Sequence, residues 1–209
     1  MNFLDSIVYL LALIISIGIH EAAHAWTAWK LGDNTAYDQG RVTLNPLAHI
    51  DPIGTVVIPL FNLMSGGVSL IGWGKPCPVE VRNFPAKTWR RDSLLVTLAG
   101  PASNVVLAIL ALIVCRFLDP ENTMVGLFWH LARLNCCLCV FNLLPIPPLD
   151  GGWVVMHLFR LPMEFMMKGA LPGVIILLVL INIPAARYVL GIPVGLLLHG
   201  LGTVIFWGA

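Results

Sequence analysis

Three ionisable residues, His20, Glu21 and His24, lie inside an apolar run that extends from about residue 4 to residue 31. A helix needs roughly 20 apolar residues to cross a hydrocarbon layer about 30 Å thick, so this run is long enough to span a bilayer. Ionisable groups at that depth carry a large desolvation penalty, and three of them in one span mark a functional site. Composition agrees with a membrane setting. Only 11% of the 209 residues are charged, less than half the roughly 25% usual in soluble domains. That excludes a water-soluble globule and a disordered chain. Twelve Lys and Arg stand against eleven Asp and Glu with no basic block, which excludes a nucleic-acid partner.

The first run contains Asp5 and no early Lys or Arg, so it reads as a retained span and not as a cleaved leader. Further spans are expected at residues 93–117 and 124–144, parted by the turn formers Asp119, Pro120, Glu121 and Asn122. Residues 52–64 are apolar but too short to cross comfortably, and are expected to be re-entrant. Residues 170–207 read as a helical hairpin hinged near Pro184 and Arg187. From Val68 to Val81, apolar residues alternate among Gly and Pro and predict a strand or hairpin at the membrane surface. Gly66, Gly67, Gly72 and Gly74 are expected to hinge a gate there. The expected fold is an all-α polytopic membrane protein of about five to six transmembrane or re-entrant helices with a small membrane-associated β segment. It forms a single domain over residues 1–209. Cys77, Cys115, Cys136, Cys137 and Cys139 show no ligand spacing and read as small apolar fillers.

Residues 20–24 spell HEAAH. On a helix, i to i+4 spacing sets both imidazoles on one face, where they can share a zinc ion while Glu21 reaches its water. The bland reading is a polar patch for helix packing. A catalytic zinc takes three protein ligands and keeps one position open. Asp150, in NLLPIPPLDGG behind Pro145, Pro147 and Pro148, is the candidate third ligand, because the prolines stop a helix and let the chain turn a carboxylate inward. The alternative is an N-cap role for Asp150 ahead of a helix at Trp153.

Three motifs in this order, HEAAH, GPASN (Gly100, Pro101, Asn104) and NLLPIPPLDG (Asn142 to Gly151), resemble the site-2 protease family of intramembrane zinc metalloproteases. The resemblance covers roughly residues 4–31 and 90–155. It implies one zinc per chain held by His20, His24 and Asp150, with Glu21 as general acid/base and Asn142 stabilising an oxyanion or positioning substrate. It also implies a minimal member without a PDZ or CBS domain, whose regulation, if any, comes from a membrane partner or a second copy of the chain.

For one zinc to meet all three ligands, the end of the first span and the end of the 124–144 span must share a side of the bilayer. Nine of the twelve Lys and Arg, from Lys30 to Lys168, fall on that side, against Arg116 and Arg187 opposite and Arg133 within a span. The positive-inside rule makes that side cytoplasmic. The expected location is therefore a multi-pass protein of the plasma membrane with its site toward the cytoplasm. The expected function is a zinc endopeptidase that cuts in or near a transmembrane helix of a substrate protein within the lipid bilayer. A non-catalytic, zinc-containing membrane scaffold or adaptor is the alternative, and a zinc hydrolase of membrane-embedded lipids is a third reading.

Overall fold

The computed structural model describes residues 3–60 and 72–206. The end of the expected re-entrant stretch (61–64), Gly66 and Gly67, and the start of the expected strand (68–71) lie outside those residues. The chain divides into two compact units, Met1–Gly100 and Pro101–Ala209.

In the first unit, α1 (Phe3–Lys30) is the dominant element. Leu13, Ile17, Ala22, Ala25 and Ala28 are all buried, and the alanines keep the inner face narrow so that neighbouring chain can approach closely. The helix stops in a Schellman motif. Gly32 has φ +106°, and the N–H groups of Gly32 and Asp33 donate to the carbonyls of Trp29 and Ala28 at 3.2 and 2.9 Å, satisfying carbonyls that the helix leaves without partners. Asp33, fully buried, then accepts from Thr35 N, Glu80 N and Asn83 Nδ2 at 3.0, 2.8 and 2.7 Å. Burial acts to raise its pKa, but the hydrogen bonds from Thr35, Asn83 and Glu80 outweigh it and hold the carboxyl below its ordinary value. Asp33 thus ties the end of α1 to the turn at Val81–Asn83, where Ala28, Phe84 and Val96 form a small core.

Between these points follow a short α2 (Thr35–Asp38), a 3-10 turn at Pro46–His49 and a π-helical turn at Pro52–Val57. Asp51 caps the last by accepting from Ile53 N and Gly54 N at 3.0 and 2.6 Å. No strand occurs among the described residues, and this corrects the expected β segment over residues 72–81. The physical reason is in the sequence: Pro76 and Pro78 have no N–H to give to a ladder. Trp73, Lys75 and Cys77 spend backbone groups on the rest of the unit instead.

The second unit takes over within α3 (Trp89–Phe117) at Pro101. Asn122 caps α4 (Thr123–Asn142) by accepting from Met124 N at 2.9 Å. After the prolines come α5 (Asp150–Leu158), α6 (Glu164–Asn182) and α7 (Pro184–Phe206). Ala108, Ala111, Leu112, Ala132, Cys136 and Leu198 form its core, so Cys136 is indeed a small apolar filler. Asn104 and Asn135, both fully buried, join α3 to α4 through Asn104 Nδ2 donating to Asn135 Oδ1 at 3.0 Å.

The fold is all-helical among the described residues. Among the described residues four helices are long and apolar enough to cross a membrane: Ser6–Lys30, Trp89–Phe117, Thr123–Asn142 and Pro184–Phe206. The expected five to six helices rested also on residues 52–64, whose described part is mostly one π-helical turn, and on α6, which carries Glu164 and Lys168 in its opening turns.

Candidate metal centre

His20 and His24 share one face of α1, as spacing of four residues requires. Both rings are buried, and their Nε2 atoms stand 3.1 Å apart. His24 Nδ1 lies 2.7 Å from the Val96 carbonyl oxygen. A carbonyl only accepts, so Nδ1 carries a proton; in the neutral ring this leaves Nε2 as the atom that can meet a metal.

Two observations fit a cation between these rings. Nitrogens bound to one tetrahedral zinc at roughly 2.05 Å would be about 3.3 Å apart, close to the spacing seen. Gly100 supplies the second. An added β-carbon would collide with His24 Nε2 and approach His20 Nε2 and Cε1 to 2.6 Å, so only glycine keeps the space beside both nitrogens open.

Glu21 points elsewhere than into solvent alone. Its Oε2 accepts from the backbone N–H of Cys77 at 2.9 Å. Gly74 also passes close by: a β-carbon there would lie 2.6 Å from Ile17 Cγ2 and 3.3 Å from Glu21 Cγ. Gly74 is thus a close-approach position in a packed crossing. Burial, with the Glu21 charge nearby, pushes the Cys77 thiol up to about 12. Cys77 therefore stays a neutral thiol, unsuited to be a thiolate ligand or nucleophile.

His49 is almost fully buried. Its Nε2–H donates to the Thr43 carbonyl at 2.9 Å, and Nδ1 faces Arg41 Nη2 at 3.5 Å. Burial first, and the Arg41 charge with it, lower its pKa, so this ring is neutral and structural.

Asp150 and Asn142 belong to the second unit. Asp150 is the first residue of α5, and the N-cap position is Leu149, so the N-cap reading of Asp150 is overturned. Gly151 lets the proline-broken chain fold back tightly, since a β-carbon there would strike the carbonyls of Leu143 and Leu144. Asn142 closes α4 and donates from Nδ2 to the Leu138 carbonyl at 3.0 Å. Within the first unit the structure brings together His20, His24, Gly100 and the Val96 carbonyl, with Glu21 next to them on α1. The steric role of Gly100 was hinted at by its place in GPASN. The Cys77 N–H and the Val96 carbonyl were missed, because backbone groups leave no mark in a side-chain pattern.

Comparison with known proteins gives three findings. Residues 119–181 match peptidase family M50. The chain is 40% identical over 190 residues to YwhC of Bacillus subtilis, a protein bearing a zinc-metalloprotease name, across 86% of this chain and 82% of that one. It is 36% identical over 178 residues to Rip2 of Mycolicibacterium smegmatis, also named as a zinc metalloprotease, across 82% of this chain and 65% of that one. It is 26% identical over 148 residues to the zinc metalloprotease MJ0392 of Methanocaldococcus jannaschii, across 71% and 33%. The chain therefore spans less than two thirds of the length of the mycobacterial and archaeal proteins. No solved structure matches at a significant level.

Proposed function

This chain belongs to peptidase family M50, and on that premise we propose that it is a zinc metalloendopeptidase acting inside the bilayer on a transmembrane helix of another protein. Its four apolar helices make it an integral membrane protein. The observation that carries the reading is the His20–His24 pair, with Nε2 atoms 3.1 Å apart, beside Gly100 and next to Glu21.

His20 and His24 would hold the zinc through Nε2, and Asp150 would supply the third ligand from the head of α5. When bound, zinc supplies Lewis acidity that lowers the pKa of water and polarises a carbonyl. The donor set of two imidazoles and a carboxylate suits that ion and leaves a coordination position open. Glu21 takes a proton from the attacking water and hands it to the leaving amine. Its Oε2 is held by Cys77 N–H, which leaves Oε1 as the oxygen with no hydrogen bond among the described residues and the one to make this transfer. Asn142 uses one hydrogen of its amide on Leu138 and keeps a second with which to meet a substrate carbonyl. The charge asymmetry of the loops supports a plasma-membrane protein with its site toward the cytoplasm.

The test is Glu21→Gln in the full chain, in membranes, with zinc content measured alongside cleavage of a co-purifying single-span protein. Cleavage should fall at least about a thousandfold with zinc retained, consistent with loss of the proton-transferring group. Undiminished biological activity in that variant would favour the scaffold reading instead.

A further inference from the structure

Residues 72–78 cross the first unit without regular secondary structure, and every second residue from Trp73 to Cys77 is tied through its backbone. Trp73 N–H donates to the Gly54 carbonyl at 3.2 Å and its own carbonyl accepts from Thr55 Oγ1 at 2.7 Å. Two residues on, Lys75 N–H donates to the His49 carbonyl at 2.8 Å and its carbonyl accepts from Arg41 Nη2 at 2.5 Å. Two further on, Cys77 N–H reaches Glu21 Oε2. Anchoring the backbone at Trp73 and again at Lys75 leaves the chain little freedom two residues later, and so sets where the Cys77 N–H points.

Arg41 is the costly member of this arrangement. It is 3% exposed, and among the described residues its Nε and Nη1 have no hydrogen-bond partner. A buried guanidinium left partly unsatisfied is a poor choice for stability. Among the described residues its shortest contact is to the carbonyl of Lys75, two residues before the amide that holds Glu21.

We propose that Gly72–Cys77 is a positioning strap for the general base: Arg41, through the Lys75 carbonyl, aims the Cys77 N–H at one oxygen of Glu21 and so orients the carboxylate for proton transfer. Arg41 is a positioning residue and touches no substrate. The inference rests on the proton-transfer role of Glu21 given above, but the contact itself is testable without catalysis.

Two measurements on the full chain in lipid nanodiscs decide it. In metal-free protein, hydrogen exchange at the Cys77 amide should quicken at least about tenfold in Glu21→Ala and in Arg41→Met, and return toward the native rate in Arg41→Lys, which restores a donor for the Lys75 carbonyl. In zinc-loaded protein, Cys77→Pro deletes the N–H whereas Cys77→Ala keeps it. Against the alanine variant, the proline variant should lose about tenfold to a hundredfold in kcat, the worth of a hydrogen bond to a charged group, with KM within about twofold and zinc content equal. Equal exchange rates in native and Glu21→Ala proteins would overturn the contact. Equal kcat in the two Cys77 variants, or a loss shared with KM, would overturn the positioning role. If Cys77→Pro does not fold, the same kcat test applies to Arg41→Met against Arg41→Lys. Absence of any cleavage by native zinc-loaded protein would instead remove the peptidase reading and leave the exchange result standing.

Discussion

Gly100→Ala adds one methyl group at the point where the geometry is least forgiving. The new carbon would fall 2.6 Å from His20 Nε2 and closer still to His24 Nε2, whereas ordinary contact begins near 3.4 Å. Each ring must therefore retreat by nearly an ångström or more. His24 is held from behind by its bond to the Val96 carbonyl, so retreat also strains the contact that sets its tautomer. Helix propensity acts in the other direction, because alanine is favoured over glycine by about 1 kcal/mol in a helix interior. Crowding a packed site by a methyl costs about 1–3 kcal/mol, so metal-free stability should fall by about 0–2 kcal/mol on balance. Zinc affinity should not escape, since disturbing the surroundings of metal ligands costs about tenfold to a hundredfold. Competition with a chromophoric zinc chelator in detergent solution measures that loss. Gly126→Ala on α4 is the control, because nothing lies within 4 Å of its added carbon; it should bind zinc as the native chain does. Native affinity in Gly100→Ala would refute the claim that Gly100 shapes a metal site.

Three further outcomes follow from the fold. His49 has its pKa lowered by burial and by Arg41, so the unfolded chain takes up its proton first; stability should be full above the unfolded pKa near 6.5 and decline as pH falls toward the lower folded value, and His49→Gln should flatten that decline in thermal unfolding. Asp33, whose pKa is lowered on balance by its hydrogen bonds, contributes stability above its ordinary value of 3.8 that is lost on acidification below it; Asp33→Asn should cost about 1.5–3 kcal/mol at neutral pH, the range for hydrogen bonds to a charged group. Asn135→Leu should destabilise by about 1–3 kcal/mol by depriving the buried Asn104 amide of its acceptor, while the double change with Asn104→Leu should recover part of that loss in chemical denaturation.

What could be read from the sequence was what side chains announce. Placing the two imidazoles of HEAAH on one helical face needed only the period of a helix, and Gly32 with Asp33 announced where α1 stops. No strand forms over residues 72–81, because Pro76 and Pro78 lack the N–H groups that a ladder needs despite the alternation of apolar residues. Every second residue there does spend backbone groups, Trp73 on Gly54 and Thr55, Lys75 on His49 and Arg41, Cys77 on Glu21, but on separate partners and not on a ladder. The contact of Cys77 N–H with Glu21 joins residues 56 positions apart through a group every residue but proline possesses. No residue type signals it. The role of Asp33 was hidden for a related reason: its partners are mostly amides that only the folded chain brings to it.

The end of α1 also works as a depth gauge. Lys30 sits with Nζ 4.2 Å from the Trp29 ring and 5.9 Å from that of Trp26, the pairing of amphipathic and cationic side chains that marks a headgroup boundary. At 1.5 Å per residue, His24 lies about 9 Å and His20 about 15 Å beneath that mark along the helix. A substrate helix cut at this depth would be severed roughly six to ten residues inside its own boundary. The shorter stump would be far below the roughly 20 apolar residues needed to remain in the bilayer. The other stump, roughly ten to fourteen residues, would fall short of that length as well, so a cut at the histidines would leave neither product able to span the bilayer on its own.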